Sequence, residues 1–188
     1  MLSTNVKDYL KVYDNFLTKE ECSNLVEELK STNWSMHTFY NNVSNQSISH
    51  DKELDVSYHS SELAKKTQDK IWHIINDYIS IQINSEWFSS WAGYSQIRFN
   101  KYDVNTEMKL HCDHIHSMFD GQRKGIPVLS ILGALNDDYE GGELVFWESD
   151  VIELKAGSIM VFPSNFLYPH KVKEVTKGTR YSYVSWVW

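Results

Sequence analysis

The spacing of apolar residues changes once along this chain, from a helical period to an alternating one near Trp91, and that change limits the fold more than any other feature. Ahead of it, Lys11-Val12-Tyr13 reads as a short strand. Thr18-Lys19-Glu20-Glu21 then has capping-box spacing, Cys22, Leu25, Val26 and Leu29 follow at helical period, and Leu17 is placed to staple against Cys22. A second helix is predicted over 61–78, with Ala64, Thr67, Ile71, Ile74, Ile75 and Tyr78 on one face. Beyond Trp91, Ser95-Gln96-Ile97-Arg98-Phe99-Asn100 alternates, and short strands are predicted at 109–113, 128–135, 143–147, 151–154, 158–162, 170–175 and 180–188. Turn chemistry at Asn136-Asp137-Asp138-Tyr139-Glu140-Gly141-Gly142, Ala156-Gly157 and Lys177-Gly178-Thr179 divides them. Short strands cut by turns predict a mainly β sandwich or barrel, and helices that precede the strands predict a buttressing layer on one outer face. The expectation is one domain over residues 1–188, a helical support region at 1–90 and a β core at 91–188, with the polar stretch 41–47 looping into solvent.

Composition removes several function classes. With 188 residues, 41% of them hydrophobic, the chain can bury one sizeable core. A net charge of -7 argues against a surface built to neutralise phosphates, so no nucleic-acid partner is expected. The sequence has neither an apolar run of about 18 residues nor a basic segment leading into one at its start, so no membrane association and a cytoplasmic location are expected. Cys22 and Cys112 form no CxxC pair and no disulfide framework.

The chemistry concentrates at His111-Cys112-Asp113. On a strand, residues two apart leave the same face, so the imidazole and the carboxylate can chelate one ion while Cys112 points away into packing. With a second histidine from elsewhere they would make the facial triad of non-haem Fe(II) oxygenases, which leaves three coordination positions free. The tripeptide is weak evidence alone. His170 and Arg180 add context, because a hairpin centred on Gly178 would set Arg180 opposite Thr176, on the face that His170 shares. Six residues at about 3.3 Å each keep the Arg180 backbone within about 20 Å of His170, a span that a five-carbon diacid and an arginine side chain can largely fill. A guanidinium suits that task, since it binds a carboxylate through two parallel hydrogen bonds and stays charged. Ser182 lies two residues on, placed to add a hydrogen bond. His114 and His116 read as neighbours of the site rather than as further ligands, and Trp186 and Trp188 read as core.

With these residues in hand, the sequence resembles the prolyl 4-hydroxylase-like family of Fe(II)- and 2-oxoglutarate-dependent oxygenases. The opening segment from Asp14 to Cys22 looks like the family's first strand and helix. The run Leu135-Asn136-Asp137-Asp138-Tyr139-Glu140-Gly141-Gly142-Glu143-Leu144 is similar to its central hairpin, and Pro169-His170 through Arg180-Tyr181-Ser182 has its ten-residue step from histidine to basic residue. Tyr102 stands where relatives place a tyrosine that contacts the co-substrate. Met108 and Asn105 depart from the pattern, as do Gly133 and Ala134, where some relatives supply a second such tyrosine.

The resemblance implies a double-stranded β-helix, a jelly roll of cupin-like form. It implies Fe(II) on His111, Asp113 and His170, 2-oxoglutarate anchored by Arg180 with Tyr102 and Ser182 alongside, dioxygen as the second co-substrate, and ascorbate as a supporting reductant. It also implies hydroxylation of an unactivated C–H bond, most readily on a prolyl residue of a peptide or protein. A free amino acid or other small molecule is the alternative substrate, and a non-catalytic jelly-roll binding module is the alternative of another class. Relatives that demethylate nucleic acids carry an arginine six residues beyond the first, a position that Trp186 occupies here. The segments 41–51 and 117–125 are candidate substrate-gripping loops. The sequence leaves the oligomeric state open.

Overall fold

The computed structural model describes residues 3–41, 44, 46–83, 88, 91–113 and 127–188. Strand β1 (Lys11–Tyr13) leads into α1 (Lys19–Lys30), and both halves of the capping box form: Thr18 Oγ1 accepts from the Glu21 N–H at 3.1 Å, and Glu21 Oε2 accepts from the Thr18 N–H at 2.8 Å. The short strands β2 (Ser35–Met36), β3 (Phe39–Asn41), β4 (Gln46–Ile48) and β5 (Asp55–Ser57) follow, then α2 (Glu62–Tyr78), capped by Ser61. The stretch expected as a solvent loop therefore holds a hairpin, in which Phe39 pairs with Ile48 and Asn41 with Gln46. Phe39 also packs on the His50 ring at 5.1 Å, a contact between two half-buried rings that a hydropathy pattern does not register.

The remaining strands are β6 (Arg98–Tyr102), β7 (Met108–His111), β8 (Leu129–Ala134), β9 (Glu140–Gly141), β10 (Leu144–Phe146), β11 (Asp150–Ile152), β12 (Ile159–Pro163), β13 (His170–Val172), β14 (Val175–Lys177) and β15 (Arg180–Val187). A seven-stranded sheet runs β1-β12-β8-β15-β6-β5-β2 and a four-stranded sheet runs β11-β10-β13-β7, with antiparallel pairing inside both. The architecture is a double-stranded β-helix, as expected.

Alternation along the seven-stranded sheet sorts its residues into two cores. Phe99, Ile131, Ile159, Val161, Tyr183 and Val187 face outward and pack with Leu25, Leu29, Ile71 and Ile75 of the helices. Those four helical side chains have no exposure, and each contributes about 1.5–3 kcal/mol of burial, which holds the helices on that face. Tyr102, Leu132, Met160, Phe162, Val184 and Trp186 face the other way, toward Leu144, Phe146 and Val172 of the smaller sheet. This second core surrounds the space between the sheets, and the polar residues discussed below share its faces.

One expected geometry is overturned. No hairpin joins His170 to Arg180. After β13 the chain leaves the smaller sheet, β14 pairs with β9, and β15 enters the larger sheet between β6 and β8. Arg180 therefore lies opposite Tyr102 rather than Thr176, and it reaches the interior from the opposite sheet to His170.

Candidate metal centre and active site

His111 ends β7 and His170 begins β13, and the two are directly paired across these strands. Their rings stand 4.3 Å apart between centroids. Asp113 is not on the strand, as expected from its spacing, but in a bend two residues past the strand end. Its carboxylate is positioned by the larger sheet instead: Oδ2 accepts from Ser130 Oγ of β8 at 2.6 Å and from the Trp186 indole N–H of β15 at 3.1 Å. That leaves Oδ1 turned to the histidines, 3.4 Å from His111 Nε2 and 3.8 Å from His170 Nε2.

The ligand atoms of the three residues all lie within 4.8 Å of one another. Each histidine has its other nitrogen committed to the backbone, His111 Nδ1 to the Lys109 carbonyl at 2.8 Å and His170 Nδ1 to the Tyr168 carbonyl at 3.1 Å. The Nδ1–H tautomer that donates these bonds leaves an Nε2 lone pair on each ring facing Asp113 Oδ1. An ion about 2.1 Å from each of three facial ligands sets them about 3 Å apart, so small adjustments would seat one. Two nitrogens and one carboxylate oxygen, each held by a partner behind it, fit an Fe(II) site.

Electrostatics fit as well. Burial and the neighbouring His111 push His170 down to about 4, so it is neutral and ready to ligate at ordinary pH. Burial pulls His111 down too, but the hydrogen bond and charge of Asp113 outweigh this and raise it. Burial raises Asp113, and the opposing effects of the two histidines and Ser130 prevail, holding it ionised well below the usual carboxylate range. Phe146 stacks on His170 at 5.1 Å and Phe162 meets it edge-on at 5.2 Å, which fixes the ring and keeps water off it.

Arg180 is 3% exposed on the inner face of β15. Its Nη1 donates to Ser182 Oγ at 3.0 Å, and its guanidinium lies 4.9 Å above the Tyr102 ring. Among the described residues no carboxylate lies within ion-pair distance of it. Tyr102, Arg180 and Ser182, expected together from sequence, do meet; Ser182 bonds the arginine itself. Ala134 lies opposite Ser182 on the inner face, while Gly133 faces outward under the Tyr183 ring, which a Cβ there would meet at 2.0 Å. Gly133 therefore belongs to packing and not to the co-substrate pocket.

Three residues at this site carried no functional expectation. Ser130 and Trp186 hold Asp113, and Trp186 is also core, as expected, at 8% exposure. Arg98, on the inner face of β6, stacks on Trp186 at 5.0 Å and donates from Nε to Asn100 Oδ1 at 3.1 Å, and burial lowers its pKa from the arginine norm. Strand parity alone could have flagged Ser130 and Arg98, since both share a face with core residues. Cys112 is half-buried with a free thiol rather than fully packed. His114, His116 and the segment 117–125 lie outside the described residues, as does part of 41–51.

A two-sheet β-helix with a His-x-Asp and distant His cluster on one side, faced by a buried arginine from the other, defines the class of mononuclear-metal jelly-roll proteins. Within it, residues 97–188 match the family model described as the 2OG-Fe(II) oxygenase superfamily. That match covers just under half of the chain, the stretch that holds β6 to β15 and the residues of the site, and with the geometry it supports a 2OG-Fe(II) oxygenase similar to prolyl 4-hydroxylases. It is similar to a PKHD-type hydroxylase of Methylobacterium nodulans, 35% identical over 94 residues that make up 47% of this chain and 40% of that protein. The match thus spans well under half the length of the curated relative. Among solved structures it is similar to a prolyl hydroxylase of Trichoplax adhaerens, solved in complex with a hypoxia inducible factor oxygen degradation domain peptide fragment. That match has a TM-score of 0.69 and 18% identity, covering 96% of this chain and 83% of that one. A Pseudomonas putida prolyl-4-hydroxylase gives a TM-score of 0.69 at 15% identity, covering 95% and 91%. No helix among the described residues is long and apolar enough to cross a membrane.

Proposed function

We propose that this chain is an Fe(II)- and 2-oxoglutarate-dependent dioxygenase that hydroxylates an unactivated C–H bond, with a prolyl residue of a peptide or protein as its substrate. The observation that carries the reading is the facing of two groups across one interior: three metal-ligand atoms within 4.8 Å of one another, and a buried guanidinium with no carboxylate among the described residues in ion-pair distance. In this reading the Nε2 atoms of His111 and His170 and Oδ1 of Asp113 hold Fe(II), and Arg180 holds the distal carboxylate of 2-oxoglutarate, with Tyr102 beneath its guanidinium and Ser182 orienting it. The bound iron and co-substrate supply the oxidising power, dioxygen being consumed as 2-oxoglutarate loses carbon dioxide to become succinate and a hydroxyl is placed on the substrate.

The chain's own contribution is geometry and dryness. Ser130 and Trp186 occupy Oδ2 of Asp113 and so restrict it to one coordinating oxygen, which keeps positions open for the co-substrates. Phe146 and Phe162 shield His170 from solvent. The prolyl assignment is supported by the relatives: a PKHD-type hydroxylase and a human prolyl 3-hydroxylase 2 match the sequence in part, and prolyl hydroxylases share the fold. We also read residues 1–188 as one domain, because the helices and the larger sheet share a core.

The test is anaerobic addition of Fe(II) and then 2-oxoglutarate, following the visible charge-transfer absorption of the chelate, and then succinate release on admitting air. Absorption that appears in the wild type and is absent in His170→Ala supports the reading. A protein that binds neither ligand is a non-catalytic module.

A further inference from the structure

We propose that Arg98 grips a carboxylate of the substrate, so that the molecule hydroxylated carries an acidic group near the oxidised carbon; this rests on the oxygenase reading above and names the substrate class within it. The inner face of the larger sheet carries two guanidiniums. Arg180 lies opposite Tyr102, whereas Arg98 lies opposite Val184, four residues farther along β15 and so about 13 Å away along the strand. One 2-oxoglutarate has one distal carboxylate, and Arg180 is placed to take it. Arg98 is therefore left over.

The described residues around it hold it ready for an anion without supplying one. The Trp186 ring supports the guanidinium at 5.0 Å, and Asn100 Oδ1 takes its Nε–H at 3.1 Å. Those contacts fix the plane of the group and leave the paired Nη edge, whose two parallel N–H bonds match the two oxygens of a carboxylate. Neither nearby acid is free to pair with it. Asp113 is engaged by Ser130, Trp186 and the two histidines, and Glu53, 8% exposed, is bonded to His37 Nδ1 at 3.0 Å. Among the described residues no carboxylate comes within ion-pair distance of Arg98.

Position relates this cation to the chemistry. Trp186 touches both Arg98, through its ring face, and Asp113, through its indole N–H. Arg98 thus sits one indole away from the metal-ligand cluster, on the strand across β15 from Ser130 and four residues along from the level of Arg180. Charge is compatible with this: Fe(II), Asp113, a 2-oxoglutarate dianion and Arg180 sum to zero, which leaves Arg98 facing Glu53 at longer range, its carboxylate turned to His37. A substrate carboxylate on the Nη edge would give Arg98 the direct partner that Glu53 does not.

The experiment compares matched acid and amide pairs on wild type, Arg98→Gln and Arg98→Lys. L-proline against L-prolinamide tests a free α-carboxylate. Doubly capped Ala-Pro-Asp against Ala-Pro-Asn tests an acidic side chain beside a prolyl residue in a peptide. Hydroxylated product is followed by mass spectrometry alongside succinate, and affinity is measured by calorimetry on protein loaded with Mn(II) and 2-oxoglutarate under argon. The expected result is a preference of about 10- to 100-fold for the acid member of one pair, as a charge-assisted two-point contact would give. Arg98→Gln should shrink that preference to about threefold or less, and Arg98→Lys, which retains the charge and guards against misfolding, should keep an intermediate share. Wild type that consumes 2-oxoglutarate yet binds and processes acid and amide members alike overturns the inference alone, as does a preference that survives in Arg98→Gln. Protein that never consumes 2-oxoglutarate overturns the oxygenase reading and the inference with it.

Discussion

Replacing Arg180 with methionine should have two effects of opposite sign. Arg180 is 3% exposed, and its guanidinium has Ser182 and the Tyr102 ring as partners but no counter-ion among the described residues. Exchanging buried ions for apolar side chains of similar size is often neutral or stabilising by about 1–4 kcal/mol, and losing the bond to Ser182 offsets about 1 kcal/mol of that. At about 2–4 °C per kcal/mol for a chain of this size, Tm without ligand should hold or rise by up to about 10 °C. With co-substrate the sign reverses. Wild type in 2-oxoglutarate at about a hundred times its Kd gains about 2.7 kcal/mol, or about 5–10 °C. A charge-assisted fork contributes about 1.5–3 kcal/mol to that binding, so Arg180→Met should weaken Kd by about 10- to 150-fold and remove about half of the thermal shift or more. Thermal melts under argon with Mn(II), with and without 2-oxoglutarate, measure both. A variant that melts well below wild type without ligand yet keeps the full shift would show Arg180 to be a structural residue and refute the anchor assignment.

Other consequences are equally direct. Ser130→Ala removes one of two donors to Asp113 Oδ2 and should lower metal affinity by about 10- to 100-fold, read by competition with a chelating dye; unchanged affinity would mean that Trp186 alone orients the carboxylate. At pH 6 the free protein carries its proton on His111, raised by Asp113, while His170 at about 4 is already neutral. Metal loading should therefore release close to one proton, and affinity should fall about tenfold per unit as pH drops from 6 toward 4 and more steeply below; calorimetry in buffers of different ionisation heat counts the protons, and two released at pH 6 would contradict the assignment. Gly133→Ala drives a methyl into the Tyr183 ring and should cost about 1–3 kcal/mol, visible as a lower Tm, with little effect on 2-oxoglutarate Kd because that residue faces the helices.

What sequence made legible, and what it did not, divides by the range over which residues constrain one another. The caps at Thr18 and Ser61 bond to N–H groups three residues on, so local spacing exposes them. His111 and Asp113 are likewise close enough in sequence for their joint role to be read, although the reason first offered, strand alternation, is not what holds Asp113. Ser130 and Trp186 do that from 17 and 73 residues away, and no period marks such a distance. The route from His170 to Arg180 is hidden from sequence for a related cause. Alternation says which residues share a face of a strand but not which sheet the strand joins, and here the chain changes sheets between Val172 and Arg180. In sequence Arg98 is one more alternating residue, because a cation on a half-buried strand shows that no described carboxylate pairs with it only once its neighbours are placed.

The change of sheet is also what makes the proposed site work. A metal ion and a diacid bound side by side need ligands converging from opposite walls, and a single hairpin can supply only one wall. β13 and β7 bring the two histidines from the smaller sheet, while β15 brings Arg180, Ser182 and Trp186 from the larger one. On β15 all eight residues are buried, with alternate side chains in different cores. A slip of one residue would turn Tyr181 and Tyr183 into the interior and Arg180 and Trp186 against the helices, a cost spread over the whole strand. The separation between the arginine that anchors the diacid and the indole that orients Asp113 is therefore locked at six residues by the packing of both cores. It follows that the reach from the metal-ligand cluster to the Arg180 guanidinium is set by the fold's register rather than by flexible loops, and the same register places Arg98, opposite Val184, at a level between Arg180 and Trp186.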